Sequence, residues 1–405
     1  MALDEDYLKL LIHIGYFTKE ATGISIVDAY FGPKKFLPVK TEQVLSSSEK
    51  LISDLERLID RGKELDDKLR RIVILTDLQS MKFVVRWLSG DTIPYPQLVK
   101  GIFGITPSKF SQAEIRKARE RVEDASTGLP GSDVSEKIAT WREESKISGK
   151  ALKKMIDTEV VHHTKEIEEL FEKKVFSNLP LKVKNKGVIY RAVSGEPWGA
   201  YNYYQENYMS VNAINLDRTF NKYRFVAMLC HEYEHHLANV FTEHYYRKTK
   251  ALDMSVALLH TKRSIINEGT ADCAREFLNL MPTEYGELLD SLGTLQSMIG
   301  LNVAYMLNVE SVDDEEAAEY VSSEGFIPIE DAKQSLNFSR PVNPNGKPNL
   351  FKPYVYTYYF GRRDYVLPTF KKAERKGKLR EFFRTLYLNP YSRSSATWKA
   401  AFSKI

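Results

Sequence analysis

The chain has 405 residues, enough for one large domain or two ordinary ones, and its 43% hydrophobic and 28% charged residues are typical of a globular protein. A formal net charge of +4 excludes no partner but indicates neither a nucleic acid nor an anionic membrane, so we expect neither. Two cysteines suit a reducing compartment, no apolar run reaches the roughly 18 residues of a membrane helix, and the acidic start lacks the pattern of a secretory signal. We expect a cytoplasmic protein, and the sequence leaves its oligomeric state open.

The first part of the chain is predicted to be helical. Residues 46–75 repeat apolar side chains at three- and four-residue steps and begin with serines that can cap a helix. Residues 106–125 and 162–176 have the same amphipathic pattern, and the interleaved charges of the first are typical of a solvated helix face. We therefore interpret residues 1–175 as an N-terminal helical region.

The pattern changes after this region. Tyrosines and β-branched residues alternate with polar residues in 179–194 and 199–217, which predicts two or three strands in a small antiparallel sheet. From Arg224 onward long helices return, with a polar interruption at 337–349. The predicted fold class is mainly α with a small antiparallel β-sheet next to the helix at 226–242, and we interpret residues 176–405 as a second region that contains this sheet, the candidate site and the C-terminal helices.

One helix concentrates imidazole and carboxylate groups. At 100° per residue, a helix over residues 226–242 places His231 and His235 within about 40° of each other, opposite an apolar face. This is the H-E-x-x-H arrangement, in which two histidines bind zinc and the adjacent glutamate, here Glu232, acts as general base. The alternative is a solvated polar face, because so short a motif also arises by chance.

A later segment supplies the remaining ligand. Residues 264–278, "SIINEGTADCAREFL", predict a second helix with Glu268 and Asp272 on one face. We expect Glu268 to be the third zinc ligand and Asp272 to accept the free ring N–H of a ligating histidine. The alternative is an ion pair of these acids with Arg275. The joint pattern favours one zinc ion per chain.

These motifs resemble those of a known group of enzymes. The pair "HEYEH" and "EGTAD" resembles the gluzincin metallopeptidases, whose signature is H-E-x-x-H followed by E-x-x-x-D. The chain also looks similar to a mostly helical gluzincin-like family of unknown function, through the stretches "DAYFGP", "GIFGITP", "LPGSD", "NEGTAD" and "YTYYFGR". The resemblance implies one zinc ion, a glutamate base and hydrolysis of a peptide bond.

The resemblance also implies further site residues. Tyr358 is the first candidate to donate a hydrogen bond to the oxyanion and Tyr354 the second, although an aromatic core helix explains the tyrosines equally well. In gluzincins the strand before the zinc helix pairs with the substrate backbone, whereas an interior strand is the alternative. The candidate substrate-binding residues on this strand are Gly199, Ala200, Tyr201 and Asn202. Arg362 and Arg363 are candidates for binding a substrate carboxylate or are surface residues.

The predicted function is a zinc-dependent metallopeptidase that hydrolyses short peptides, because helices around a cleft limit access. Zinc activates a water molecule, and Glu232 takes its proton and passes it to the leaving amine. The alternatives are another zinc-dependent amide hydrolase and a non-catalytic helical binding protein.

Overall fold

Helices dominate the computed structural model, which describes residues 3–38, 47–196, 198–280 and 284–405. The helices in the first part of the chain are α1 (Leu3–Thr22), α2 (Ser48–Gly62), α3 (Lys68–Leu88), α4 (Tyr95–Phe103), α5 (Gln112–Ala125), α6 (Val134–Ser145), α7 (Gly149–Thr158) and α8 (Val160–Lys174). The later helices are α9 (Lys222–Thr249), α10 (Lys262–Asp272), α11 (Ala274–Leu278), α12 (Gly286–Tyr305), α13 (Asp314–Gly325), α14 (Ile329–Ser335), α15 (Tyr356–Phe360), α16 (Leu367–Arg375), α17 (Leu379–Leu388) and α18 (Trp398–Ala401). The strands are β1 (Val27–Tyr30), β2 (Lys146–Ile147), β3 (Val188–Val193), β4 (Ala200–Tyr204), β5 (Ser210–Asn215), β6 (Phe220–Asn221) and β7 (Val256–Leu258). The predicted class, mainly α with a small β-sheet, is confirmed.

Side-chain caps explain where several helices begin. The Ser47 hydroxyl accepts a hydrogen bond from the backbone N–H of Lys50 at the start of α2, as the serine cluster predicts. The amphipathic pattern over residues 46–75 is divided between two helices, because α2 ends at Gly62 and α3 begins at Lys68. The Asp67 side chain accepts a hydrogen bond from the backbone N–H of Arg70 and so caps the start of α3 as a separate helix.

The predicted strands form a three-stranded sheet with the order β3-β5-β4. β4 and β5 are antiparallel, as predicted, but β3 and β5 are parallel, with Val188 opposite Ser210. The sheet is therefore mixed and not wholly antiparallel. The chain reverses direction between β3 and β4 and again between β4 and β5, so β3 and β5 point the same way. β5 lies between the other two, and β4 is left at an edge.

Three large hydrophobic clusters form the interior. The first combines residues from α1 to α4 with later ones such as Ile265 and Tyr356. The second surrounds α9, whose Leu229, Cys230 and Leu237 are fully buried, as the predicted apolar face requires.

The proposed division of the chain at residue 176 stays a prediction. Within the described ranges, no helix is both long and apolar enough to cross a bilayer.

Buried polar side chains of α9 attach the sheet to this helix. The Glu243 carboxylate accepts hydrogen bonds from the backbone N–H groups of Asn207 and Tyr208, each at 3.0 Å, in the turn between β4 and β5. His236 Nδ1 lies 2.8 Å from the Ser210 hydroxyl of β5, and burial lowers the pKa of His236 to about 3, which keeps this imidazole neutral. These contacts hold the edge strand β4 beside the face of α9 that carries the predicted ligands.

Candidate metal centre

The three predicted ligands converge between α9 and α10. His231 Nε2 and His235 Nε2 are 3.0 Å apart, and each lies 3.5 Å from Glu268 Oε2. The two histidines meet because they are one helical turn apart, whereas Glu268 reaches them only because α10 packs against α9. Among the described residues, these side chains form the cluster with the geometry of a metal site.

Two hydrogen bonds orient the converging atoms. Asp272 Oδ1 accepts a hydrogen bond from His231 Nδ1 at 2.9 Å, so the lone pair of Nε2 is directed towards His235 and Glu268. The Tyr354 hydroxyl donates to Glu268 Oε1 at 2.6 Å, which leaves Oε2 directed at the histidines. The structure thus gives Asp272 the orienting position that the sequence predicts.

The donor set fits a tetrahedral zinc ion. Zinc bonds of about 2.0–2.1 Å to nitrogen and oxygen at tetrahedral angles separate the ligand atoms by about 3.3 Å, and the observed separations are 3.0 to 3.5 Å. Glu268 Oε2 is buried without a hydrogen-bond partner within the described chain. Its distance from each imidazole exceeds the roughly 2.7–2.9 Å of a charge-assisted hydrogen bond, so a shared cation satisfies this oxygen better than either ring does.

The electrostatics of the centre favour bound positive charge. Burial lowers the pKa of His231, but the nearby carboxylates of Asp272 and Glu268 outweigh burial and raise the pKa well above its usual value. Burial raises the pKa of Glu268, but His235 and His231 outweigh burial and lower it overall. A metal ion competes with protons for the same two ring nitrogens, so metal affinity at this centre falls as the pH falls.

Glu232 lies between the metal centre and open space. It lines both a small inner pocket of about 100 Å³, which also contains the three candidate ligands, and an adjoining cleft of about 1110 Å³. Glu232 is 6% exposed, and burial raises its pKa more than the imidazoles of His231 and His235 lower it. A carboxylate with a raised pKa at such a junction suits a general base.

The two candidate tyrosines have different surroundings. Tyr354 is 4% exposed and its hydroxyl donates a hydrogen bond to Glu268, so its position is that of a residue that orients a candidate ligand. Tyr358 lines both cavities, and its ring stacks on that of His231 with centroids 6.4 Å apart. Tyr358 is therefore better placed than Tyr354 to donate to a substrate oxygen, in the order that the resemblance implies.

The predicted substrate-binding strand lies along the same space. Gly199 and Ala200 line the cleft, and Ala200, Tyr201 and Asn202 line the inner pocket. β4 is an edge strand, so one side of its backbone is not paired within the sheet. The side chains of Tyr201 and Asn202 contact Asp28 and Asn212, which leaves the backbone as the part of this strand suited to pair with an extended chain.

Asp28 is a pocket residue that the sequence argument did not select. It lies on β1, receives a hydrogen bond from the Tyr201 hydroxyl and lines the inner pocket with His235 and Glu268. Burial raises its pKa, and the hydrogen bond from Tyr201 lowers it less. The sequence contained one indication of Asp28: it begins the stretch "DAYFGP", which contributes to the family resemblance, but no role was predicted for this residue.

The arginines near the centre are paired in ways that the sequence did not predict. Arg275 pairs with Asp290 and Glu276, so the suggested ion pair of Arg275 with Glu268 or Asp272 does not form. Arg362 binds Glu276 through two nitrogens at 2.6 and 2.9 Å, and Arg363 binds Asp364 at 2.5 and 2.8 Å. Both arginines that were candidates for binding a substrate carboxylate are therefore already paired with a carboxylate of the chain itself.

A backbone contact sets the distance between α10 and the tyrosine-bearing segment. A Cβ on Gly361 would lie 2.0 Å from the carbonyl oxygen of Ile265, and a Cβ on Gly269 would lie 2.4 Å from the carbonyl carbon of Gly361. Neither position accommodates a side chain, so the backbones touch directly. Tyr358, one turn before Gly361, is held beside Glu268 and Asp272 as a result.

A Gly361→Ala substitution is expected to lower the free energy of unfolding by about 3 kcal/mol or more, because the added methyl group meets backbone that cannot give way. Urea denaturation followed by circular dichroism measures this change. Gly300→Ala on α12 is the matched control, since a Cβ there meets no heavy atom within 4 Å and alanine favours a helix. Equal stability of the two variants would contradict the direct backbone contact.

Comparison with known proteins gives a likeness in structure but none in sequence. Neither a protein-family model nor a curated protein matches the sequence. A solved chain from Colwellia psychrerythraea, described as a "putative lipoprotein", is similar in structure with a TM-score of 0.55 and 14% sequence identity. The similarity covers 92% of this chain and 72% of that chain. At this identity it shows a shared fold over nearly the whole chain and no shared activity.

Proposed function

We propose that the protein is a zinc-dependent metallopeptidase that hydrolyses short peptides. The observation that carries the proposal is the convergence of His231 Nε2, His235 Nε2 and Glu268 Oε2 from two helices to within 3.0–3.5 Å of one another. The resemblance of "HEYEH" and "EGTAD" to the gluzincin signature supports the same conclusion. The location in the cytoplasm stays a prediction.

His231, His235 and Glu268 would hold the zinc ion, which when bound would supply a Lewis acid for the activation of water and the polarisation of the scissile carbonyl. Glu232 accepts the proton of the attacking water and passes it to the leaving amine, a role that its burial and raised pKa favour. Tyr358 donates a hydrogen bond to the oxyanion, since it lines both cavities beside His231. Asp272 keeps His231 in the tautomer with a free Nε2 lone pair.

The shape of the site supports a peptide as substrate. The cleft of about 1110 Å³ adjoins the inner pocket, and β4 runs along both with an unpaired edge. An extended peptide added to this edge gains backbone hydrogen bonds without needing particular side chains. A small amide substrate would leave most of the cleft unused, which makes another amide hydrolase the second choice.

Metal analysis and peptide hydrolysis test the proposal together. The purified chain is expected to contain about one zinc ion, to cleave members of a mixed peptide library read by mass spectrometry, and to lose cleavage on chelation and regain it with zinc. A chain without metal affinity would instead be a helical binding protein. A zinc-containing chain that hydrolyses small amides but no peptide would support the alternative amide hydrolase.

A further inference from the structure

The cleft beside the metal centre is rich in arginine. Its described lining contains three acidic residues, Glu232, Asp272 and Asp290, and six arginines: Arg121, Arg218, Arg224, Arg275, Arg362 and Arg363. Asp272 is bonded to His231 and Asp290 to Arg275, so two of the acids are already engaged. Arginine side chains therefore outnumber carboxylates among the described residues that line this cleft.

Arg224 differs from the paired arginines of the cleft. Its Nη2 donates to the backbone carbonyl of Leu289 at 2.6 Å, and among the described residues it forms no ion pair with an acidic side chain. Arg362 and Arg363, by contrast, each bind a carboxylate through two hydrogen bonds. Arg224 thus retains donors for an external anion.

The neighbours of Arg224 increase the local positive charge. Burial lowers the pKa of Arg224 to about 10, and the nearby Arg275 and Arg142 act in the same direction, whereas Asp290 and Asp272, which are engaged by Arg275 and His231, act against them. The Nε atom of Arg142 is itself buried without a hydrogen-bond partner in the described chain. Three guanidinium groups in one region repel each other, and a bound anion relieves that repulsion.

The position of Arg224 relates it to the metal centre. It precedes His231 by seven residues on α9, which is two helical turns, so both lie on the same face about 10 Å apart along the axis. An extended peptide covers that distance in about three residues at about 3.3 Å each. Gly293 on α12 makes room for the guanidinium, because a Cβ there would lie 2.5 Å from Nη2.

We propose that Arg224 binds a carboxylate of the peptide substrate about three residues from the scissile bond, so that the cleft selects peptides that carry a carboxylate at that distance. The inference deepens the proposed function and rests on it for the substrate class. The carboxylate belongs either to an Asp or Glu side chain or to the C-terminus of the peptide. Both sources present the same planar group, which a guanidinium binds through two parallel hydrogen bonds.

Equilibrium binding tests this role separately from catalysis. Fluorescently labelled peptides are titrated into the Glu232→Gln chain, which is expected to cleave them far more slowly than the parent chain, and binding is followed by anisotropy with and without zinc. One peptide series exchanges Glu for Gln at each position, and another exchanges a free C-terminus for an amide. We expect removal of the bound carboxylate to weaken binding by about tenfold or more. The series that shows the loss identifies the source.

Three further substitutions in this background assign the effect to Arg224. Arg224→Gln is expected to abolish the preference for the carboxylate. Gly293→Ala is expected to reduce the preference for the carboxylate, because the added Cβ displaces the guanidinium of Arg224. Alanine also favours the helix α12, so this variant is expected to fold and to test the proposal even if Arg224→Gln does not fold. Arg363→Gln, which changes a cleft arginine already paired with Asp364, is the matched control and is expected to retain the preference.

A preference that survives both Arg224→Gln and Gly293→Ala, or that disappears in Arg363→Gln, would overturn the role of Arg224. Binding without any carboxylate preference would also overturn it. If the preference depends on Arg224 but the parent chain cleaves no peptide, the proposed peptidase activity fails and the anion site stands. The two proposals can therefore fail independently.

Discussion

A Glu232→Gln variant is expected to bind zinc as the parent chain does and to hydrolyse peptides about 10²–10⁴-fold more slowly. The amide has nearly the shape of the carboxylate but accepts no proton, so water is no longer deprotonated and the leaving amine receives no proton. Glu232 is not one of the three converging ligands, and its substitution leaves their hydrogen bonds in place. Metal content and kcat, measured on the same preparation, separate chemistry from metal binding.

Glu234→Gln provides the matched control on the same helix. Glu234 is fully buried and pairs with Arg393 at 3.3 Å, and it lines neither cavity. Its substitution is expected to lower stability and to leave kcat nearly unchanged below the unfolding temperature. A Glu232→Gln enzyme with normal kcat would show that another group transfers the proton, and the proposed mechanism would be wrong.

A Glu268→Gln variant is expected to lose zinc affinity by more than about a hundredfold. Substitution of a residue that only orients a ligand typically costs about 10- to 100-fold in affinity, and removal of the charged third ligand costs more. Zinc titration with a competing chelator measures the loss, and thermal unfolding shows whether zinc still stabilises the fold.

Asp272→Asn gives the graded comparison for this prediction. It leaves all three converging ligands but weakens the hydrogen bond to His231 Nδ1. We expect an intermediate affinity, between the parent chain and Glu268→Gln. Equal zinc affinity of the parent chain and Glu268→Gln would exclude Glu268 as a ligand and remove the main support for the proposed function.

The site was predictable where it depends on one helix. His231 and His235 are one turn apart on α9, and helical geometry alone brings their side chains together. The same periodicity predicted the buried apolar face of α9 and the position of Glu268 and Asp272 on one face of α10. The predicted strands also formed, because alternation is a local signal.

Features that depend on contacts between distant segments were not predictable. The parallel pairing of β3 with β5 depends on which strand occupies the centre of the sheet. Arg362 was a candidate for binding a substrate carboxylate, but its guanidinium is paired with Glu276 of α11, a contact between distant segments. For this reason the proposal for an anion site names Arg224 and not Arg362. Asp28 enters the pocket only because β1 lies next to β4 and β7.

The sequence by itself determined the identity and local spacing of the groups that can bind a metal ion, since four residues of α-helix always make one turn. Only the tertiary structure decided that Glu268 lies within 3.5 Å of both histidines, because the direct contact of Gly269 with Gly361 and the packing of α10 on α9 place it there. Periodicity along a helix is a property of neighbouring residues. The approach of two helices is the outcome of packing over the whole chain, which no local pattern records.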